Sequence, residues 1–235
     1  MPDNSTSIAA RLIQVRERIA AAEQRFGRQP GSVRLLAVSK TQPPAAIRDA
    51  YRAGQHAFGE NYLQEAAAKQ AGLADLPLEW HCIGPVQANK ARNVAEHFDW
   101  VHSVDRIRLA RRLSAYRPEN LPPLNVLLQV NISGEASKSG VSPAELSELA
   151  TEVAALPRLR LRGLMCIPAP AADFEQQRRP FRQLRELRDR LHNEGYIMDT
   201  LSMGMSDDLE AAIAEGATIV RIGTAIFGAR PPRAA

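Results

Sequence analysis

The stretch Leu35-Leu-Ala-Val-Ser-Lys40 begins the pattern that decides the fold. Its apolar, partly β-branched run is typical of a buried strand, and the strand must end at the lysine. Burial lowers the pKa of an ammonium group, and the neutral amine reacts with an aldehyde to form a Schiff base. Lys40 is therefore a candidate site of covalent attachment, although a lysine that closes a strand is more often a solvated strand end.

Seven more runs of this kind follow, separated by segments with helical spacing. The eight predicted strands cover residues 35 to 39, 57 to 60, 79 to 84, 100 to 104, 125 to 131, 161 to 167, 200 to 204 and 219 to 223. Eight strands alternating with helices are typical of an α/β protein with a closed (β/α)8 barrel, the TIM barrel. No Gly/Ser-rich linker divides the chain, so we expect residues 1 to 235 to form a single barrel domain.

An extra helix is predicted before the first strand. Residues 8 to 26 repeat apolar side chains at steps of three and four, which indicates an amphipathic helix. Any of the polar residues from Asp3 to Ser7 could cap its start.

Two later helices carry sequence signals at their starts. Residues 143 to 156 have helical spacing, and Ser142 with Glu145 predicts a capping box. Residues 173 to 194 contain Pro180, which predicts that a helix starts or kinks at that residue. The arginines of this last segment alternate with acids, so we interpret them as a solvated outer face.

Composition narrows the class of protein. The net charge of +4 comes from scattered basic residues, which is weak evidence for a polyanion, and we expect no nucleic-acid partner. No run is long and apolar enough to cross a membrane. Cys82 and Cys166 are isolated, so they form neither a disulfide framework nor a metal clip, and no other group shows metal-ligand spacing. We expect a monomeric cytoplasmic protein.

The predicted strand ends are polar, and in such barrels the chemistry lies at those ends. The polar or small residues there are Lys40, Glu60, Asn61, His81, Gly84, Ser103, Asn131, Ser202, Gly204, Ser206, Arg221, Gly223 and Thr224. Strands seven and eight supply the usual phosphate site, and we expect Ser206 to cap the next helix there. The alternative is that these glycines only permit tight turns. Asp207 and Asp208 would repel a phosphate unless they turn away.

Most of these residues belong to ordered motifs. The motifs are Ala37-Val-Ser-Lys40, Phe58-Gly-Glu-Asn-Tyr62, Trp80-His81, Gln129-Val-Asn-Ile-Ser-Gly-Glu135, Gly163-Leu-Met165, Ser202-Met-Gly-Met-Ser-Asp207 and Arg221-Ile-Gly-Thr224. With them the chain resembles, from about residue 33 to 230, the YggS/PROSC family of pyridoxal phosphate homeostasis proteins, which is related to the barrel domain of alanine racemases. Cys82 and Pro85-Val86 depart slightly from the family pattern.

The resemblance implies pyridoxal 5'-phosphate (PLP) held as an internal aldimine, a Schiff base, on Lys40. Arg221 would lie against the pyridine nitrogen, where a permanent positive charge disfavours ring protonation and weakens carbanion stabilisation. An ordinary salt bridge is the alternative for Arg221. The other residues that the resemblance assigns to the cofactor are Asn61, His81, Met165, Ser206, Gly223 and Thr224. For His81, a structural hydrogen bond is the more common role.

The resemblance also implies a role: the protein holds PLP and limits the free aldehyde, with delivery to apo-enzymes left open. No catalytic residue is predicted, because alanine racemases take a second acid/base group from an additional β domain and only seven residues follow Gly228 here. A PLP-dependent racemase-like enzyme is the main alternative, and a Schiff-base aldolase without PLP is another. Lys90 and Lys138 either offer a second PLP contact or are solvated, and we favour solvation.

Overall fold

Eight parallel strands close into a barrel in chain order in the computed structural model, which describes residues 7–135 and 139–228. The strands are β1 (Arg34–Val38), β2 (Ala57–Glu60), β3 (Glu79–Cys82), β4 (Trp100–Val104), β5 (Leu124–Gln129), β6 (Leu159–Met165), β7 (Thr200–Ser202) and β8 (Ile219–Ile222). The barrel closes where Leu36 of β1 lies opposite Arg221 of β8. The predicted (β/α)8 barrel is confirmed, and each strand end lies within two residues of its prediction.

Helices cover the outside of the barrel, and the main core lies between the two layers. They are α1 (Ile8–Arg25), α2 (Pro44–Arg52), α3 (Leu63–Gly72), α4 (Ala91–His97), α5 (Ile107–Tyr116), α6 (Leu146–Ala154), α7 (Phe174–Asn193), α8 (Leu209–Ala214) and α9 (Thr224–Phe227). A short 3-10 helix, Ala88–Lys90, precedes α4. The extra helix α1 is present, Ser7 caps it by accepting from the Ala10 amide at 3.1 Å, and it packs against α8 and α9.

One predicted helix start was wrong, and for a second helix one of two alternatives, a start at Pro180, is excluded. Helix α7 begins at Phe174, because Asp173 caps it by accepting two backbone N–H bonds at 2.8 and 3.1 Å, and Pro180 lies inside the helix. Helix α6 begins at Leu146, not at residue 143. Ser142 and Glu145 do contact each other, but their hydrogen bonds close a separate turn before the helix.

The outer face of α7 is less solvated than the sequence indicated. Its apolar stripe is buried as predicted, but three of its arginines pair with one carboxylate. Glu215 forms salt bridges with Arg178 at 2.7 Å, Arg182 at 3.2 Å and Arg185 at 2.7 Å. The Glu215 side chain is fully buried, so these pairs attach α7 to the end of α8.

Two features are absent from the described ranges. None of their helices has both the length and the apolar character needed to cross a bilayer. They contain no group of three His, Cys, Asp or Glu side chains placed to hold a metal ion. Cys82 and Cys166 are both buried free thiols, and burial raises the pKa of each to about 12.

Candidate functional site

A cavity opens at the carboxyl ends of the strands, where such barrels place their chemistry. It encloses about 590 Å³, a volume that suits a small molecule. Six of the eight residues predicted for the cofactor line it: Lys40, Asn61, Ser206, Arg221, Gly223 and Thr224. The barrel therefore brings an amine, a guanidinium and two hydroxyls, from opposite ends of the chain, to one space.

Lys40 lies in a tight turn directly after β1. The turn is closed by the Gln42 amide, which donates to the Ser39 carbonyl at 3.0 Å, and the Ser39 amide donates to Gly59 of β2 at 3.0 Å. Thr41 has a φ of 65°, in the left-handed region that a β-branched residue rarely adopts. Such a conformation costs about 1–3 kcal/mol, so the surrounding structure must hold it.

A buried ionic cluster lies behind this turn and consists of Lys69, Glu60 and Glu65. The Lys69 ammonium donates to Glu60 Oε1 at 2.7 Å, to Glu65 Oε1 at 2.5 Å and to the Ser39 carbonyl at 2.7 Å. The side chains of Lys69 and Glu60 are 4% and 0% exposed, so their charges are largely removed from water. Three hydrogen bonds to one ammonium offset part of that desolvation cost.

The same cluster holds the residues on both sides of Lys40. Glu60 Oε1 accepts from the Ser39 hydroxyl at 2.6 Å, and Glu65 Oε1 accepts from the Thr41 amide at 2.5 Å. Burial raises the pKa of Glu60, although the charge of Lys69 acts in the opposite direction. Glu60 and Glu65 thus hold the backbone on both sides of Lys40, and neither carboxylate lines the cavity.

Arg221, on the strand next to β1, forms a second wall of the cavity. Its Nη1 donates to Ser202 Oγ at 2.8 Å and its Nη2 donates to the Cys166 carbonyl at 2.9 Å, and the whole residue is 5% exposed. Burial lowers the pKa of the guanidinium, which still stays charged at neutral pH. Since a guanidinium has five N–H donors, two of them fix its orientation and others are left for a ligand.

The loops after β7 and β8 form the third side of the cavity. A Cβ atom at Gly223 would lie 3.1 Å from the Val38 carbonyl, so a glycine allows this loop to lie close against β1. Ser206 and Thr224, which belong to these loops, line the cavity. The sequence predicted that Ser206 caps α8, but this prediction was wrong. The helix begins later, with Asp208 at its N-cap position.

The two acids in this loop differ in their surroundings. Asp208 Oδ1 accepts from the Met205 amide at 2.6 Å and so is turned into its own loop. Burial raises the pKa of Asp208, while the Met205 amide and Arg221 act in the opposite direction. Asp207, by contrast, lines the cavity.

Two residues predicted for the cofactor lie elsewhere. His81 is 1% exposed and packs inside the barrel, with Nδ1 2.9 Å from Nε2 of His102. Met165 is fully buried and packs against Trp100 and Leu127. Neither lines the cavity, because both side chains are used by the barrel interior.

The possible second PLP contacts have no counterpart in the cavity wall. Lys90 is exposed at the end of the 3-10 helix Ala88–Lys90, and Lys138 lies outside the described residues. Neither position adds support to a second PLP site.

Sequence reasoning missed several residues around the cavity. Arg18 of α1 lines it, donating to the Ser206 carbonyl at 3.2 Å while pairing with Glu210 at 2.9 Å. The apolar stripe of α1 predicted packing but not the loop that the helix would contact. Lys69 could have been found, because Glu65 lies four residues before it on the same helix.

Known proteins resemble this chain in sequence and in fold. The profile of the family described as "Alanine racemase, N-terminal domain" matches residues 11–231. The Pyridoxal phosphate homeostasis protein of Pseudomonas aeruginosa is 64% identical over 225 residues, covering 96% of each chain. The protein of that name from Escherichia coli K12 is 58% identical over 226 residues, covering 95% of this chain and 97% of its own.

A solved relative matches the fold as well. PipY of Synechococcus elongatus, solved with PLP bound, superimposes with a TM-score of 0.83 at 42% identity, covering 94% of this chain and 100% of its own. The chain therefore belongs to the alanine racemase N-terminal domain family and, within it, to the YggS/PROSC-type pyridoxal phosphate homeostasis proteins.

Proposed function

We propose that this protein binds PLP in the cavity at the strand ends, as a Schiff base on Lys40, and takes part in PLP homeostasis. The observation that carries the proposal is that an amine, a buried guanidinium and a hydroxyl-bearing glycine loop line one cavity. The names of the two bacterial relatives and the PLP-bound structure of PipY support it.

The cavity residues fit the cofactor chemically. Lys40 offers a primary amine, and Ser206, Gly223 and Thr224 offer two hydroxyls and close backbone approach for a phosphate. The Oδ1 atom of Asn61 is buried without a hydrogen-bond partner in the described part of the protein. A buried polar atom of this kind is costly until a partner arrives, which fits a site built to receive a ligand.

Each residue then has a defined role. When bound, PLP supplies an aldehyde and an electron-withdrawing pyridine ring. Lys40 would form the covalent bond, and the loops after β7 and β8 would hold the phosphate. Arg221 would face the ring nitrogen, where its charge would disfavour protonation and so weaken the ring as an electron sink. This arrangement favours holding the cofactor over carbanion chemistry.

The proposed role is non-catalytic. The ionisable side chains of the described residues that line the cavity are Arg18, Lys40, Asp207 and Arg221. Two of these are arginines, which do not exchange protons at neutral pH.

We also propose that the protein passes PLP to apo-enzymes and acts as a cytoplasmic monomer. Mixing the PLP-loaded protein with an apo-enzyme and following the return of its activity tests the transfer.

A spectral titration tests cofactor binding. Wild type, Lys40→Ala and the exposed control Lys90→Ala are titrated with PLP, and absorbance is recorded at the visible edge. We expect the protein-bound band in wild type and Lys90→Ala and its loss in Lys40→Ala. Equal bands in all three proteins would exclude Lys40 as the attachment site.

A second candidate function, a racemase-like enzyme, is favoured by one observation. Asp207 lines the cavity and is the carboxylate there that could move a proton. Incubating the PLP-loaded protein with L-alanine in deuterium oxide distinguishes the two functions. Loss of the α-hydrogen at a catalytic rate, abolished by Asp207→Asn, would favour the enzyme, whereas no exchange would favour the carrier.

A further inference from the structure

A chain of hydrogen bonds runs from Arg221 through the barrel interior to the other end of the barrel. Arg221 Nη1 lies 2.8 Å from Ser202 Oγ, and Ser202 Oγ lies 2.9 Å from His102 Nδ1. His102 Nε2 lies 2.9 Å from His81 Nδ1, and His81 Nε2 lies 2.5 Å from Glu79 Oε1. The chain thus joins strands β8, β7, β4 and β3.

The two ends of the chain fix its direction. Arg221 can only donate, so the Ser202 oxygen accepts there, and an ionised Glu79 can only accept, so His81 Nε2 must carry a proton. With both rings neutral, the Ser202 hydroxyl donates to His102 Nδ1, and His102 Nε2–H donates to His81 Nδ1. Every donor in the chain then points from the cation toward the carboxylate.

The surroundings keep the two rings neutral and in place. Burial lowers the pKa of His81, against the opposing effect of Glu79, and lowers the pKa of His102 further, with His81 and Arg221 acting in the same direction. The indole of Trp100 stacks on His81 with ring centres 5.4 Å apart and planes at 5°. For Glu79, burial alone would raise the pKa, but the hydrogen bonds from His81 and Arg34 act in the opposite direction and the pKa is lowered.

We propose that Ser202, His102, His81 and Glu79 are positioning residues that hold the Arg221 guanidinium in the orientation needed to meet the ring nitrogen of PLP. This inference rests on the proposed function for the identity of the ligand. None of the four residues lines the cavity, so they act on the cofactor only through Arg221. The affinity for PLP would thereby depend on Glu79, which lies at the start of β3, at the opposite end of the barrel.

The direction of the chain can be tested without the cofactor. Long-range proton–nitrogen NMR spectra of histidine-labelled protein report which nitrogen of each imidazole carries the proton. We expect His81 and His102 both to be neutral with the proton on Nε2. A proton on Nδ1 in either ring, or a charged ring at neutral pH, would contradict the proposed direction of these hydrogen bonds. This result would hold whether or not the protein binds PLP.

The effect on the cofactor is tested with variants of the chain. His102→Leu introduces an apolar side chain of similar size and breaks two hydrogen bonds, whereas His102→Gln retains one donor and one acceptor. Because the Ser202 hydroxyl that accepts from Arg221 loses its own hydrogen bond to His102, we expect His102→Leu to raise the PLP dissociation constant about tenfold. We expect His102→Gln to recover most of the affinity.

The spectrum of the bound cofactor separates positioning from general destabilisation. Displacing a cation raises the pKa of a protonated group beside it, so the pH at which the bound PLP band titrates should move upward in His102→Leu. Leu113→Ala, a buried change on α5, serves as the control that lowers stability without touching the chain. We expect its PLP affinity and titration midpoint to match those of wild type.

Each outcome decides the matter. If His102→Leu binds PLP with wild-type affinity and titration, the positioning role is excluded. If Leu113→Ala changes both as much as His102→Leu, the effect is structural and the role is again excluded. Should His102→Leu not fold, Ser202→Ala, which removes one hydroxyl, gives the same comparison. Absence of a PLP band in wild type would instead refute the proposed function. The NMR result would still show whether the hydrogen bonds run from Arg221 to Glu79 as proposed.

Discussion

The two walls of the cavity are held by different physical means. Behind Lys40 lies a cluster of full charges, in which Lys69 bonds Glu60 and Glu65 and the carboxylates hold the turn. Behind Arg221 lies a chain of neutral groups, in which Ser202 and two uncharged histidines separate the cation from its carboxylate.

The difference matches what each wall has to do. The Lys40 wall holds a strained backbone, with Thr41 in the left-handed region, and short charged hydrogen bonds are strong enough to hold it. The Arg221 wall must present a cation to a ligand, and a carboxylate directly beside that cation would compete for its donors. The neutral Ser202 and His102 orient the guanidinium without bringing Glu79 into contact with it.

Breaking the ionic wall should have the largest effect on stability. In Lys69→Met, Glu60 and Glu65 lose their shared cation inside the protein, and removal of one partner from a buried ion pair costs about 3–5 kcal/mol. We expect a loss of that size in the free energy of unfolding, measured by urea denaturation. Lys90→Met is the matched control, because Lys90 is exposed, and it should change stability by less than about 0.5 kcal/mol. Equal losses in the two variants would contradict the role of the cluster.

The two walls should respond to pH with opposite signs. The folded pKa values of His81 and His102 lie below the ordinary value of 6.5, so below pH 6.5 the unfolded chain binds protons that the folded chain does not. Their contribution to stability therefore falls as the pH falls. The folded pKa of Glu60 lies above the ordinary 4.5, so its contribution falls as the pH rises through that region.

Two variants separate these contributions. Each group can change the slope of the free energy of unfolding by at most about 1.4 kcal/mol per pH unit. We expect His102→Gln to lose less stability than wild type between pH 6.5 and 5, and Glu60→Gln to lose less as the pH rises above 4.5. Urea titrations at each pH give the slopes. The same change of slope in both variants would contradict the distinction between the walls.

Relief of the backbone strain beside Lys40 should have a smaller effect. Thr41→Gly removes the left-handed penalty and a buried hydroxyl that has no hydrogen-bond partner among the described residues. The greater freedom of an unfolded glycine offsets part of this gain. We expect a net stabilisation of about 0.5–1 kcal/mol in thermal unfolding, with weaker PLP binding as the turn loosens. A loss of stability would mean that the turn is not strained.

The outer end of the neutral chain should tolerate change best. Arg34 pairs with Glu79 at 2.9 Å, but the two side chains are 50% and 35% exposed. Surface pairs contribute about 0–1 kcal/mol, and Glu79 keeps its bond to His81 without Arg34. We expect Arg34→Met to change the PLP dissociation constant less than about twofold. A tenfold change, measured by the same spectral titration, would contradict this expectation. It would mean that the exposed Arg34–Glu79 pair determines how Arg221 is held.

The alternation of strands and helices was sufficient to predict the barrel, because most strands are short segments rich in apolar or β-branched residues. The residues at the strand ends followed from that fold, and six of the eight predicted cofactor residues line the cavity. The two others, His81 and Met165, sit on strands but project into the interior, and a strand-end position alone does not distinguish these directions.

What supports the site could not be predicted from local patterns. The contact of His102 with Ser202 joins residues 100 positions apart, and the contact of Arg18 with the Ser206 loop spans 188 positions. Such pairs depend on how the barrel closes and on where α1 packs. Asp173 shows the same limit locally, because its cap outweighed the proline signal at Pro180.

The most direct test of the site is to find where PLP attaches. Wild-type protein saturated with PLP is reduced with borohydride and digested, and the modified peptide is identified by mass spectrometry. We expect the reduced adduct on the peptide that contains Lys40 and on no other lysine. An adduct at a different lysine, or none at saturating PLP, would contradict the assignment of the cavity as a two-walled site built around Lys40 and Arg221.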